Sequence, residues 1–398
     1  MSKRRILIAL LGIIILSQFP FAYRRYRLSR LQNTIQQLSS QRISLPTSDY
    51  VDYQGAIHVH TALGGHSTGN FADLIAGAGA NQLDFVVMTE HPQADFDTSA
   101  LTLNGLHGGV LFLNGNEVVT ANSDRLLLLP GTADAATMNQ RSTQEIVQQQ
   151  KATGGLAFAA YPAESQNWKT TLVDGVEVYD LFTNARRIRP LVMFFDGLWS
   201  YSTYPDLLFA NFFQRPDANL QQWDLTIAGN RRRLVGIAGN DAHANVGISF
   251  NDLSGKKVAG LKLDPYERSF HVVRTHVLIK KDEALSRESL LRALATGHCY
   301  ISFDLFGNAR GFSFSIENAN QIMGDESPAA NQTLLVSAPL VSSFVLLKDG
   351  VAISQQTGTA ARFSTAGAGS YRIEAYLDAL PSPAKGKPWI ISNPIYLR

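Results

Sequence analysis

The chain has 398 residues, 45% of them hydrophobic and 17% charged, with a formal net charge of +2. This is enough apolar material for a large core and more than one domain, and too balanced a charge for a protein steered onto nucleic acid by its overall field. The single cysteine, Cys299, excludes an intramolecular disulfide.

Lys3-Arg4-Arg5 precedes an apolar run from Ile6 to Tyr23, which as a helix would extend about 27 Å, close to the thickness of a hydrocarbon layer. No small-x-small cleavage site follows, so residues 1–27 read as an uncleaved signal anchor. A short basic segment ahead of the apolar run stays inside, so the body is expected outside the cytoplasm. Leu28, Leu31, Ile35 and Leu38 then share one helical face, and residues 28–49 read as a stalk lifting the body off the membrane.

Between residues 50 and 310 short apolar runs, such as "GAIHVH", "LDFVVMTEH", "GLAFAAYP" and "LVGIAGNDAH", alternate with helical segments. Near-continuous apolar strands separated by helices predict parallel strands covered on both faces. Ser142-Thr143-Gln144-Glu145 has the pattern of a capping box, and Gly297 suits a helix C-cap. Residues 186–230, rich in Phe, Trp and Tyr, read as a helical insertion. After residue 311 alternating apolar residues and the turn Lys348-Asp349-Gly350 predict an antiparallel β domain over 311–398.

The reactive residue types fall at the strand ends: His58 and His60, Glu90 and His91, Glu117, Asp241 and His243. In a parallel barrel those ends share one face. His58-x-His60 puts two imidazoles on one side of a strand, and imidazole with carboxylate suits Zn, Mn or Fe. His58, His60, His66, His91, Glu117, Asp241 and His243 are therefore the candidate ligands, holding one or two divalent ions. No Gly-x-Ser-x-Gly elbow, phosphate loop or catalytic Cys-His signature competes with them.

His58-Val59-His60-Thr61, His66, Thr89-Glu90-His91, Glu117 and Gly239-Asn240-Asp241-Ala242-His243 resemble the polymerase and histidinol phosphatase (PHP) metallohydrolase family over roughly residues 53–306. The resemblance implies an α/β fold, a distorted (β/α)7 TIM-like barrel, followed here by a sandwich-like β domain with Trp389 and Asn393-Pro394. It implies that His58, His60, Glu117 and Asp241 hold a first ion and His66, His91 and His243 a second, with Glu117, Asp241 and His243 carrying the catalysis. The sequence departs from the family in having Thr-Glu-His for Thr-Asp-His. It also has Tyr161-Pro162 where many relatives have His-Pro, and lacks a further downstream histidine; Glu177 and Asp180 are the nearest polar groups. A third ion thus lacks its usual ligands.

The expected function is metal-dependent hydrolysis at the membrane of a small phosphoester, diester or monoester, with no nucleic-acid partner. A carboxyl ester, amide or carbamate hydrolase, or a non-catalytic metal-bearing envelope module, are the alternatives. Arg186, Arg187, Tyr161 and His298 are candidate substrate contacts, whereas His107 reads as a surface residue and His271 and His276 as structural.

Overall fold

The computed structural model describes residues 3–45, 49–185, 189–245, 247–251, 257–262 and 264–398. The N-terminal helix Lys3–Ser40 is continuous through Pro20. Up to Leu16 it stands clear of the body, with Ile8, Ile13 and Leu16 each about 60% exposed. Its second half does not: Leu28 and Leu31 are fully buried and share a core cluster with Trp168 and Phe213. The sequence reading of residues 28–49 as a stalk is corrected by this packing. The apolar stripe meant for a lifted helix is instead the face that docks on the body, and Arg42 donates to the Arg310 carbonyl oxygen beyond it.

Two sheets carry the strand ends named above. In the first, Tyr50–Val59 runs parallel to Phe85–Met88, which runs parallel to Val110–Leu113. The other edge of Tyr50–Val59 pairs antiparallel with Arg274–Lys280, which pairs with Cys299–Ser302. The second sheet has the order Asn116–Val119, Arg125–Leu129, Leu156–Ala160, Gly175–Asp180, Val235–Gly239. Single-residue parallel bridges join the sheets: Glu90, just past Phe85–Met88, with Asn116 at the start of Asn116–Val119, and Val59 with Ala242, just past Val235–Gly239.

The fold is α/β, as the strand and helix alternation predicts, but a closed, all-parallel (β/α)7 barrel is not what forms among the described residues. The first two pairings of the second sheet are antiparallel. The reason lies in the chain: Val119 and Arg125 are joined by the tight turn in which Thr120 N donates to Asp124 O at 2.9 Å. A parallel pair needs a crossover of a dozen residues or more.

Two helices have the caps the sequence predicts, at Ser142 and Gly297, and a third is capped by Asn70. Asn70 accepts from Asp73 N to start Phe71–Ala80, Ser142 and Glu145 close the capping box of Thr143–Ala152, and Gly297 at φ 77° ends Arg287–Thr296. Between Gly175–Asp180 and Val235–Gly239 lie the helices Pro190–Ser200 and Asp217–Asn230.

The strands after residue 311 do not stand apart. Ile390–Ser392 pairs with Cys299–Ser302, so Thr333–Lys348, Gly369–Tyr376 and their neighbours extend the first sheet. The Asn393 side chain accepts from Gly236 N at 2.8 Å and donates to the carbonyls of Gly236 and Cys299. Arg372, buried, forks onto Asp224 of helix Asp217–Asn230 at 2.8 and 3.0 Å. These contacts fix the strand Val235–Gly239, whose end carries Asp241.

Candidate metal centre

His58 and His60 do not meet through simple strand alternation. A β-bulge shifts the register between Ile57 and Val59, and His58 has φ 68°, a left-handed conformation uncommon outside glycine. The segment after Val235–Gly239 holds this bulge in place: Asn240 N donates to Ile57 O, Ala242 N to His58 O, and His60 N to Ala242 O, at 2.8 to 3.2 Å. Asp241, also at positive φ, is thereby set opposite both histidines. Glu117 enters from the other side, its amide donating to Thr89 O at 3.1 Å.

Two carboxylate oxygens then face four imidazoles. Glu117 Oε2 lies 3.2 Å from His58 Nε2, 3.4 Å from His60 Nε2 and 3.6 Å from His91 Nδ1. Asp241 Oδ1 lies 3.4 Å from His58 Nε2, 3.4 Å from His60 Nε2 and 3.3 Å from His243 Nδ1. Ligands held ~2.1 Å from a tetrahedral ion are separated by about 3.4 Å, so these spacings match the edges of a coordination polyhedron. The hydrogen-bond inventory agrees: His60 Nδ1 and Nε2 and Asp241 Oδ1 are buried without a hydrogen-bond partner, a costly arrangement unless something else satisfies them. His58, His60, Glu117 and Asp241 form one compact group and His60, His91 and His243 a second. The donor set suits divalent ions.

The outer atoms of the same carboxylates are occupied. Arg125 Nη1 donates to Glu117 Oε1 at 3.0 Å, and Tyr161 OH to Asp241 Oδ2 at 3.0 Å. Each carboxylate therefore turns one oxygen to the histidines and has the other pinned from behind. Glu177 Oε1 accepts from His58 Nδ1 at 2.6 Å; a proton on Nδ1 leaves Nε2 bare and aimed at the cluster, the outer-shell pattern common around metal-bound histidine. Glu177 can lie there because residue 239 is glycine: a Cβ would sit 1.5 Å from Oε1.

Electrostatics favour neutral imidazoles and ionised carboxylates. Burial lowers the His60 pKa to about 3, and its ring is stacked between His91 at 4.5 Å and His243 at 4.3 Å. Burial likewise lowers His91. Glu117 and Asp241 are buried, which works against their charge, but the surrounding histidines hold both below the usual carboxylate range. His58 is the exception, because the carboxylates of Glu177, Asp241 and Glu117 outweigh its burial and raise it. Tyr161 is pushed up by burial and by the nearby carboxylates, so it stays a neutral donor.

The other sequence expectations separate. His66 is exposed and lies 4.9 Å from His91, edge to face; it borders the second group, in which His60 takes the place expected for it. Glu90 is buried but turned away, accepting from Thr61 N and Oγ1 and from Thr102 Oγ1. Tyr161 meets Asp241 rather than open pocket. His298 is corrected: it pairs with Asp325 at 2.8 Å and packs on Tyr50, at the far end of the strand, eight residues or about 26 Å from His58. Arg186 and Arg187 lie outside the described residues. Glu177 and Asp180 form a third compact group with His58, though His58 Nδ1 is already engaged by Glu177. Sequence reasoning missed Arg125, whose placement opposite Glu117 depends on the Thr120–Asp124 turn.

No protein-family model matches the chain, and no curated protein sequence does. Among solved structures the chain is similar to a two-domain protein from Bacteroides vulgatus ATCC 8482, described as containing a predicted PHP-like metal-dependent phosphoesterase, at 15% identity over 88% of this chain and 98% of that one, with a TM-score of 0.39. It is also similar to PsfC from Pseudomonas syringae PB-5123, at 14% identity over 64% of this chain and 92% of that one, with a TM-score of 0.37. Both likenesses concern the course of the chain, and neither assigns a role to a residue here.

Proposed function

We propose that this chain is a membrane-anchored, metal-dependent hydrolase of the PHP kind that cleaves an ester, with phosphodiesters favoured. The observation that carries the reading is the pair of carboxylate oxygens, Glu117 Oε2 and Asp241 Oδ1, each facing three imidazole nitrogens at 3.2–3.6 Å while its sister oxygen is pinned by Arg125 or Tyr161. His58, His60, Glu117 and Asp241 would hold one ion, and His60, His91 and His243, with His66 at the rim, a second. When bound, such ions bring the ionisation of water near neutrality and offset charge developing on a reacting oxygen.

Hydrolysis joins a water oxygen to phosphorus or acyl carbon, breaks the bond to the leaving oxygen and delivers a proton to that oxygen. His243 lies at the open side of the cluster, about one-eighth exposed, with Nδ1 beside the Asp241 carboxylate. With only the first ion bound it is the histidine best placed to pass that proton; with the second ion bound it would be a ligand instead. Glu117 and Asp241 orient the site, and burial keeps bulk water from competing. With His58 Nδ1 committed to Glu177, a third ion has no free nitrogen there. A site holding two ions would balance a monoanionic diester more completely than a dianionic monoester, and a neutral ester would ask for no balance at all.

Anchoring is supported by the long exposed apolar half of helix Lys3–Ser40, with the body on the outer side. The test uses the full chain, stripped by chelation and reloaded with Zn, Mn or Fe, on aryl phosphodiester, phosphomonoester and acetate. Activity should vanish with the metal and return with it, highest on the diester or acetate. A metal-loaded chain that turns over none of them would favour the non-catalytic binding module.

A further inference from the structure

A cavity of about 400 Å³ opens directly on Asp241 and His243, within the size range of small-molecule sites. Away from those residues its wall is mixed: Val192, Met193, Leu208, Phe209 and Phe212 make it largely apolar, and Arg24, Arg189, Asp196, Asp206 and Arg268 also line it. Val192 and Met193 belong to helix Pro190–Ser200. That helix has two further faces.

One face packs on the N-terminal helix where its apolar run ends. Phe195 meets Phe21 with ring centroids 5.0 Å apart, Trp199 Nε1 donates to Gln18 Oε1 at 3.0 Å, and Asp196 takes a two-pronged bond from Arg24 at 2.5 and 2.7 Å. Gln18 and Phe21 lie inside the apolar run and Arg24 just beyond it, so helix Pro190–Ser200 is held at the level where that run meets charge. The third face is exposed and apolar: Leu191, Phe194 and Leu198, spaced three and four residues apart, are 71%, 56% and 69% exposed. Leucine and phenylalanine on one side of a helix at this level, with a tryptophan beside them, are the composition of an interfacial helix. Left in water, the face would be an apolar patch without cause.

We propose that the substrate is a membrane-resident ester or phosphoester whose hydrocarbon chain fills this cavity. Helix Pro190–Ser200 rests in the bilayer surface and forms the wall between lipid and metal centre. This names the substrate class of the hydrolase proposed above and rests on that reading and on the anchoring of the N-terminal helix. Ions held beside Asp241 and His243 would place the scissile group at that end of the cavity, and the apolar part of the wall rewards chain length, by about fourfold per methylene fully buried.

The test has two arms, both on the full chain in lipid nanodiscs. In the first, the nanodiscs contain phosphatidylcholine with a photoactivatable diazirine in its acyl chain, and adducts are mapped by peptide mass spectrometry on wild-type protein. Adducts on Met193 or Phe209, inside the cavity, are expected; adducts confined to residues 6–23 would overturn the proposal. In the second, kcat/KM is compared for ethyl and octyl aryl phosphodiesters in the metal-loaded wild type and in Met193→Trp, whose indole would narrow the cavity. The octyl-to-ethyl ratio should fall at least tenfold in the variant, a comparison in which partitioning into the bilayer cancels. An unchanged ratio in an active enzyme overturns the tail site and leaves the hydrolase standing. Cavity adducts in a wild-type chain that hydrolyses nothing support the tail site and sink the hydrolase.

Discussion

Two buried clusters of histidine and carboxylate lie along the strand Tyr50–Val59, and they are built to opposite ends. Four residues back from His58, Gln54 pairs with His276, whose Nδ1 lies 2.8 Å from Asp52 and whose Nε2 lies 3.5 Å from Asp304. The rest of that cluster closes on itself. Asp52 accepts from Tyr300 OH and Gly311 N, and Asp304 from Arg274, Ser302 and Ala309 N. Protonated His276 and Arg274 balance the two carboxylates, and no further cation is needed. Around Glu117 and Asp241 the inner oxygens meet only imidazoles, one of them pressed to the neutral form, and both His60 nitrogens and Asp241 Oδ1 are buried without a hydrogen-bond partner. Composition does not separate a structural histidine cluster from a metal centre. The unsatisfied atoms do: at His276 only Nε2 lacks a hydrogen-bond partner, with the Asp304 carboxylate 3.5 Å away, whereas both His60 nitrogens and Asp241 Oδ1 lack one.

The comparison breaks most visibly under mutation. His58→Ala or Asp241→Ala should lose bound metal and at least a hundredfold in activity, read by elemental analysis and turnover on one preparation. His276→Gln should keep its metal and lose about 3 kcal/mol of stability, because it breaks a buried ion pair. Full metal content in the first pair, or metal loss in the third variant, would collapse the distinction.

The closed cluster also has a pH signature. Burial opposes charge on His276, but Asp52 and Asp304 outweigh it and raise its pKa to about 9, against ~6.5 in an unfolded chain. A raised folded pKa gives stability that is complete below the unfolded value and is lost as pH rises through the folded one. The wild type should therefore shed about 3 kcal/mol of stability between pH ~6.5 and ~9, and His276→Gln should lack that loss in denaturant titrations across the range.

Much of this was legible in the sequence because histidine and acid at strand ends require no knowledge of the sheet's closure. His58, His60 and Asp241 cluster where the strand ends converge, with Glu117 beside them at the start of its own strand, and the Ser142 and Gly297 caps act locally. What the sequence hid depends on long-range pairing. The antiparallel hairpin at Thr120–Asp124 displaces the all-parallel barrel and delivers Arg125. Leu28 and Leu31 have the same spacing whether a helix is free or docked. His298 follows a helix cap at the wrong end of its strand, which residue type alone does not reveal.

Smaller effects sharpen the account of how the open cluster is held. Glu177→Gln keeps the shape but weakens the group that sets the His58 tautomer, and metal affinity should fall about 10- to 100-fold in competition with a chelator. Tyr161→Phe removes one hydrogen bond to the outer oxygen of Asp241 and should cost about 1 kcal/mol, a several-fold loss in the same titration. If Tyr161→Phe proved the more damaging of the two, the tyrosine would be meeting the ion or the substrate rather than the carboxylate.

The most direct measurement is anomalous diffraction from crystals of the full chain loaded with Zn or Mn. The account predicts one peak within ~2.0–2.2 Å of His58 Nε2, His60 Nε2 and the inner oxygens of Glu117 and Asp241, and at most one more, beside His91 and His243. No peak between Glu117 and Asp241, or a third peak beside Tyr161, would contradict it.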